Sequence, residues 1–186
     1  MITFSTPSWI RAISLVCVVT TGPVVTAQNG PPRTLDFEPP DDWIVEDVAS
    51  PMRVAQFVLP KADGDAEDAS LVVYFFGGAG GSVEANLERW TNQMLQPDGR
   101  PSTDVATTTS FLVDELTVTT LDVPGTFSAE VRPGSGMRYH KPDFRLKAAV
   151  IDTPNGPYFF KLTGPNLTVL RWNDQFATFI ETVSFQ

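Results

Sequence analysis

The chain is poor in the residues that carry most site chemistry. A single cysteine, Cys17, and a single histidine, His140, occur in 186 residues. Cys17 lies in an apolar run near the start, so a chain shortened past that run would have no cysteine. This excludes disulfides, thiolate catalysis and cysteine-held metal sites. A lone histidine without a second imidazole or thiolate makes no metal motif, and Ser82, which follows Gly80-Gly81, has Glu84 where a nucleophile elbow needs its closing glycine, with His140 as the one available base. Basic residues are also scarce, 13 Lys and Arg against 22 Asp and Glu, for a formal charge of −9. A surface of that sign does not gather nucleic-acid phosphates. The longest apolar run is shorter than the roughly 20 residues that cross a bilayer, so no stable membrane insertion is expected.

What is present begins with an export signal over residues 1–27. Arg11 gives a positive start, residues 12–20 are apolar, Gly22 and Pro23 break the run, and Val25, Thr26 and Ala27 supply small residues at a cleavage site before Gln28. The mature protein is therefore expected to be exported, to the periplasm or beyond the cell; the competing reading is a signal retained as a membrane anchor. Residues 28–42, with Pro31, Pro32, Pro39 and Pro40 among acidic residues and no apolar period, read as an extended, mobile linker. Residues 43–186 then form one α+β domain, with 42% hydrophobic residues in the whole chain to build its core.

Within that domain, residues 52–59 alternate in polarity and residues 71–76 are continuously apolar, giving a strand near an edge and a strand buried on both faces. Residues 77–81 are Gly-Gly-Ala-Gly-Gly, followed by Ser82 as helix N-cap and Glu84 in the first turn. Val83, Leu87, Trp90 and Met94 then recur at helical spacing as far as Pro97. Residues 111–113 and 116–123 flank Asp114-Glu115 as a hairpin. Residues 144–151 and 158–162 are two further strands joined through Thr153-Pro154-Asn155-Gly156, across a loose segment at 124–142 from the first pair. Val169, Trp172, Phe176, Phe179, Ile180 and Val183 form a second helical stripe, with Asn166 as its cap. A mostly antiparallel sheet flanked by two amphipathic helices buries both stripes.

The order of these elements, with Trp43 leading and a closing helix through Trp172, Phe176 and Phe179, resembles the PsbP-like sandwich. That fold is shared by lumenal photosystem accessory proteins and by a nuclear-import factor that binds the GTPase Ran. Residues 71–77, 81–90 and 156–165 are also similar to small secreted bacterial proteins of unassigned function. The resemblance implies a binding or accessory role and supplies no site residues.

The individual motifs agree with that reading. The glycine run lacks the Lys-Ser/Thr pair of a phosphate loop and has Val83 where a dinucleotide fingerprint needs glycine. Asp63, Asp65 and Glu67 alternate like calcium ligands, but Asp68 replaces the loop glycine and Tyr74 the closing glutamate, which leaves a solvated hairpin tip. No cofactor is expected. One zone reverses the overall charge: Arg132, Arg138, His140 and Lys141, continuing to Arg145 and Lys147. If the first four share a face they form a site for an acidic protein or a small anionic ligand. The alternative is a plain loop leading into a strand whose Arg145 and Lys147 line its solvent face. The expected function is a non-catalytic exported binding or accessory module of unknown partner. The alternative is a carboxylate-dependent hydrolase or isomerase whose pair of carboxylates only a structure would single out.

Overall fold

Strand pairing dominates the computed structural model, which describes residues 34–48 and 50–186. The expected export signal at 1–27 lies outside these residues. Ten strands and three helices follow one another: β1 (Leu35–Asp36), β2 (Ile44–Val45), β3 (Arg53–Leu59), β4 (Ala69–Phe75), α1 (Val83–Thr91), β5 (Met94–Leu95), β6 (Thr107–Val113), β7 (Leu116–Phe127), β8 (Lys141–Asp152), β9 (Tyr158–Pro165), α2 (Asn166–Arg171), α3 (Asn173–Glu181) and β10 (Ser184–Phe185). The main sheet has the order β2-β3-β4-β9-β8-β7-β5, with β6 also on β7, and every pairing is antiparallel. The class is α+β, as the sequence pattern predicts.

The two faces of the sheet carry separate cores. On one, Leu71, Val73, Phe160 and Leu162 pack under Phe176, Phe179 and Ile180 of α3. On the other, Leu121, Leu146, Val150 and Phe159 pack under Trp90 of α1 and Met94 of β5. Alternation along a strand sends successive side chains to opposite faces, so Phe159 and Phe160 belong to different cores although both are buried. It is β8 and β9 that are buried on both faces; on β4, Val72 and Tyr74 are only partly covered.

Several boundaries differ from expectation. The expected linker ends before residue 42: Leu35 is buried, β1 pairs with β10, and Phe37 packs edge-on against Phe160 and Phe179. Prolines on either side mask this docking, because two apolar residues at odd spacing make no period. The first helix stops at Thr91, and Met94 reaches the same core from β5. The second stripe is two helices. The backbone bends at Trp172, φ −93° and ψ 9°, while its indole N–H donates to the Pro60 carbonyl at 2.8 Å. Asn166 opens α2 instead of capping it, its cap position being Pro165. Val183 is buried, but beyond the helix. The loose segment at 124–142 is shorter than expected, since β7 continues to Phe127 and β8 begins at Lys141. Asp114 and Glu115 both take positive φ, 46° and 66°, the backbone that two-residue hairpins require.

The glycine run is a packed turn. A Cβ on Gly80 would lie 2.5 Å from the Phe159 ring, so only glycine lets the turn close over the sheet end. Ser82 caps α1, its Oγ accepting from the Ala85 N–H at 3.2 Å, with Glu84 in the first turn. No helix among the described residues is long and apolar enough to cross a membrane.

Candidate functional site

The four basic residues singled out in the sequence do not converge. Arg132 and His140 are exposed. Arg138 turns back onto Ser128, where its Nε donates to Oγ at 3.2 Å and its Nη2 to the carbonyl oxygen. Lys141 opens β8 and pairs with Glu67 at 2.6 Å, its ammonium also lying over the rings of Tyr139 and Phe144. The segment carrying Arg132 and Arg138 is a small irregular hairpin held by the Val131 N–H to Met137 carbonyl and Tyr139 N–H to Ala129 carbonyl bonds, both 2.9 Å.

Two other charged groups in the sequence have structural duties. The turn with Asp63, Asp65 and Glu67 is largely exposed, as expected, but Asp65 anchors it to α2. Asp65 Oδ2 accepts from the Thr168 N–H and hydroxyl at 2.7 and 2.6 Å, satisfying donors in the first turn of α2. Among the described residues no three His, Cys, Asp or Glu are grouped to hold a metal. Arg145 and Lys147 do not line a solvent face either. Both reach Asp122 on β7, Arg145 through two bonds of 2.6 and 3.0 Å, and Lys147 at 3.0 Å while also donating to Asn173 Oδ1. Their register explains the meeting, since Lys147 lies opposite Asp122 and Arg145 opposite Pro124.

The chemistry concentrates on the opposite face, under α1. Lys161 stands in the middle of β9, in register with Val72 of β4 and Ala148 of β8. Alternation puts it on the same face as Phe159, at a position where the sheet otherwise buries apolar groups. Its Nζ donates to Gln93 Oε1 at 2.5 Å and lies 5.6 Å from the centre of the Phe127 ring. Burial, and then the charge of Arg89, lower its pKa from 10.5 to about 8. Among the described residues it has no carboxylate partner.

Around Lys161 is a cavity of about 230 Å³, walled by Tyr74, Phe76, Trp90, Phe159, Arg89 and Gln93. Arg89 and Gln93 also wall a wider, more open cleft of about 690 Å³ between α1 and the hairpin, with Arg138 and Pro133 on its far side. Gln93 ties the two together. Its side chain holds Lys161, and its carbonyl accepts from the Ser128 N–H at 2.7 Å, the residue that in turn holds Arg138. Glu88 and Glu130 reach the outer cleft, where Glu130 accepts from the Gly134 N–H at 2.9 Å. Sequence reading missed Lys161 and Arg89. The signal for Lys161 was a lysine inside Tyr-Phe-Phe-Lys-Leu, an uninterrupted core strand; for Arg89, beside Trp90 on a helix, there was none.

No protein-family model and no curated protein matches the chain. Among solved structures it is similar to a protein of unknown function from Pseudomonas aeruginosa, with 14% identity and a TM-score of 0.47 over 75% of this chain and 94% of that one. It is also similar to the cyanobacterial PsbP, CyanoP, of Synechocystis, with 15% identity and a TM-score of 0.49 over 87% and 97% of the two chains. LpqN of Mycobacterium tuberculosis, described as involved in cell envelope biogenesis, aligns with 12% identity and a TM-score of 0.48 over 86% and 87%. A PsbP is among the structures the chain resembles, and one of these neighbours is a protein of unknown function.

Proposed function

We propose that the chain is an exported, non-catalytic binding module that recognises an anionic group on its ligand through the cleft between α1 and the hairpin bearing Arg138. The observation that carries this reading is the joining of Arg89, Arg138 and Lys161 along two cavities that share a wall, none of the three paired with a carboxylate among the described residues. In a chain of net charge −9, the exposed Arg89 and Arg138 and the partly buried Lys161 gather positive charge on one concave surface, which attracts an anion although Glu88 and Glu130 also reach it. The order of charged, apolar and small residues over 1–27 supports export. Arg138 keeps its role from the sequence reading, and Arg132 adjoins the cleft wall at Pro133; His140 and Lys141 do not line the cleft, and Lys141 is paired with Glu67.

The test is titration with succinate and with inorganic phosphate, followed through backbone amide shifts. Saturable shifts confined to residues 85–93 and 128–138 are expected, weakening as salt rises. Arg138→Glu should weaken them further without unfolding the protein. Shifts scattered over the surface, or insensitive to both salt and Arg138→Glu, would refute the reading.

A further inference from the structure

The inner cavity differs from the outer cleft in kind. It is small, about 230 Å³, and four of its walls are aromatic: Tyr74, Phe76, Trp90 and Phe159. Trp90 and Phe159 are almost fully buried and meet edge to face, with ring centres 6.1 Å apart. Tyr74 and Phe76 are stacked nearly parallel. Two cations, Lys161 and Arg89, enter this aromatic box, and the charged or titratable groups facing Lys161 are Arg89 from α1 and Tyr74 from β4. On the same face β7 and β8 present Leu121, Val123, Ala148 and Val150.

Donor capacity remains at both cations. The ammonium has three N–H donors, of which Gln93 takes one. Arg89 has five, and Nη2 bonds Asn86 Oδ1, while the Asn86 amide is held by the carbonyls of Gly80 and Ser82. Asn86 thus fixes Arg89 from the capped start of α1, and Gln93 fixes Lys161 from its end. Lys161 is partly buried and Arg89 is exposed at the mouth of the cavity, so the two cations are held by amide side chains at a place a ligand can reach.

Resting on the anion-binding reading above, we propose that this cavity is the binding site of a small organic acid, its carboxylate lodged between Lys161 and Arg89 and its apolar body against the rings of Phe76 and Phe159. One carboxylate offers two oxygens to two cations. Apolar and aromatic walls around a few placed polar groups are the usual construction of a small-molecule pocket, and they give a ring or short chain a surface that inorganic phosphate cannot use. The ligand's negative charge also holds Lys161 protonated at a pH above the empty site's pKa of about 8, where most of the proton has been lost, so binding at pH 8.5 draws a proton from the buffer.

The experiment is calorimetric titration of the exported protein with benzoate and with phosphate at pH 8.5, in two amine buffers of different ionisation enthalpy. Benzoate should bind at least about tenfold more tightly than phosphate, with proton uptake, and Lys161→Met should weaken it about tenfold or more and abolish the uptake. Arg171→Glu, at the end of α2 and lining neither cavity, should change benzoate affinity by less than about threefold. Proton uptake by the wild type needs no variant and stands even if Lys161→Met fails to fold. Benzoate binding no tighter than phosphate, or binding without proton uptake, would overturn the organic-acid site. If succinate and phosphate still shift the outer cleft in that event, the anion-binding reading survives by itself.

Discussion

Replacing Lys161 by methionine should make the protein more stable, and the gain should vanish in alkali. The ammonium lies beneath α1 with a pKa lowered from 10.5 to about 8, by burial first and by Arg89 second. At about 1.4 kcal/mol per tenfold change in proton affinity, that displacement corresponds to roughly 3 kcal/mol against the charged native state at neutral pH. Water reaching the partly buried group reduces it. Methionine approximates the stem in length, but gives up the ammonium's approach to the Phe127 ring and the Gln93 hydrogen bond, the latter contributing about 1 kcal/mol. The net expectation is a gain of about 1–2 kcal/mol at pH 7. Because the folded pKa lies below the unfolded one, the unfolded chain binds more protons between pH 8 and 10.5. Wild-type stability therefore rises relative to the variant across that window, and the penalty is fully present below it. Urea unfolding of both proteins at pH 7 and pH 10 reads the difference directly. A variant that is less stable at pH 7, or a difference that does not narrow with pH, would refute the reasoning.

Trp90→Ala and Trp172→Ala should each cost about 3–5 kcal/mol, since the two rings anchor the helices on opposite faces of the sheet, and thermal melting of the two variants checks this. Gly80→Ala should cost about 1–3 kcal/mol, because the new methyl meets the Phe159 ring at 2.5 Å; near-native melting would show that the turn relaxes freely. Asp65→Ala removes both acceptor bonds to Thr168 and should cost about 1–2 kcal/mol, with amide exchange at Thr168 accelerated. Asp122→Asn leaves Arg145 and Lys147 side by side on one face of β8 without a counter-charge. A loss of about 1–2 kcal/mol is expected by urea unfolding, less than for a fully buried pair because all three side chains keep some exposure.

Periodicity and turn chemistry were readable one segment at a time. The stripe through Trp90, the Ser82 cap, the Asp114-Glu115 hairpin and the Thr153-Pro154-Asn155-Gly156 turn are local features. Their physics acts between residues a few positions apart, so the chain alone specifies them. Elements closed by distant partners were not readable. β1 is two residues long and is held by β10 at the other end of the chain, through the Thr34 and Gln186 backbone bonds of 2.6 and 3.0 Å. The bend at Trp172 answers a carbonyl at Pro60, more than a hundred residues earlier.

The same division holds for the site. Composition by itself set the expectations against thiolate and nucleic-acid chemistry, because a side chain that is scarce in the sequence is scarce in any fold. Clustering in sequence pointed to the Arg132, Arg138, His140 and Lys141 segment, but neighbours along a hairpin face different ways. Ser128 claims Arg138 and Glu67 claims Lys141. Arg89 and Lys161 are 72 positions apart in sequence and meet only because α1 lies across β9. Whether a lysine in an apolar strand points to solvent, to an acid or into an aromatic cavity depends on which strands flank it and which helix covers it, and that is decided by tertiary packing.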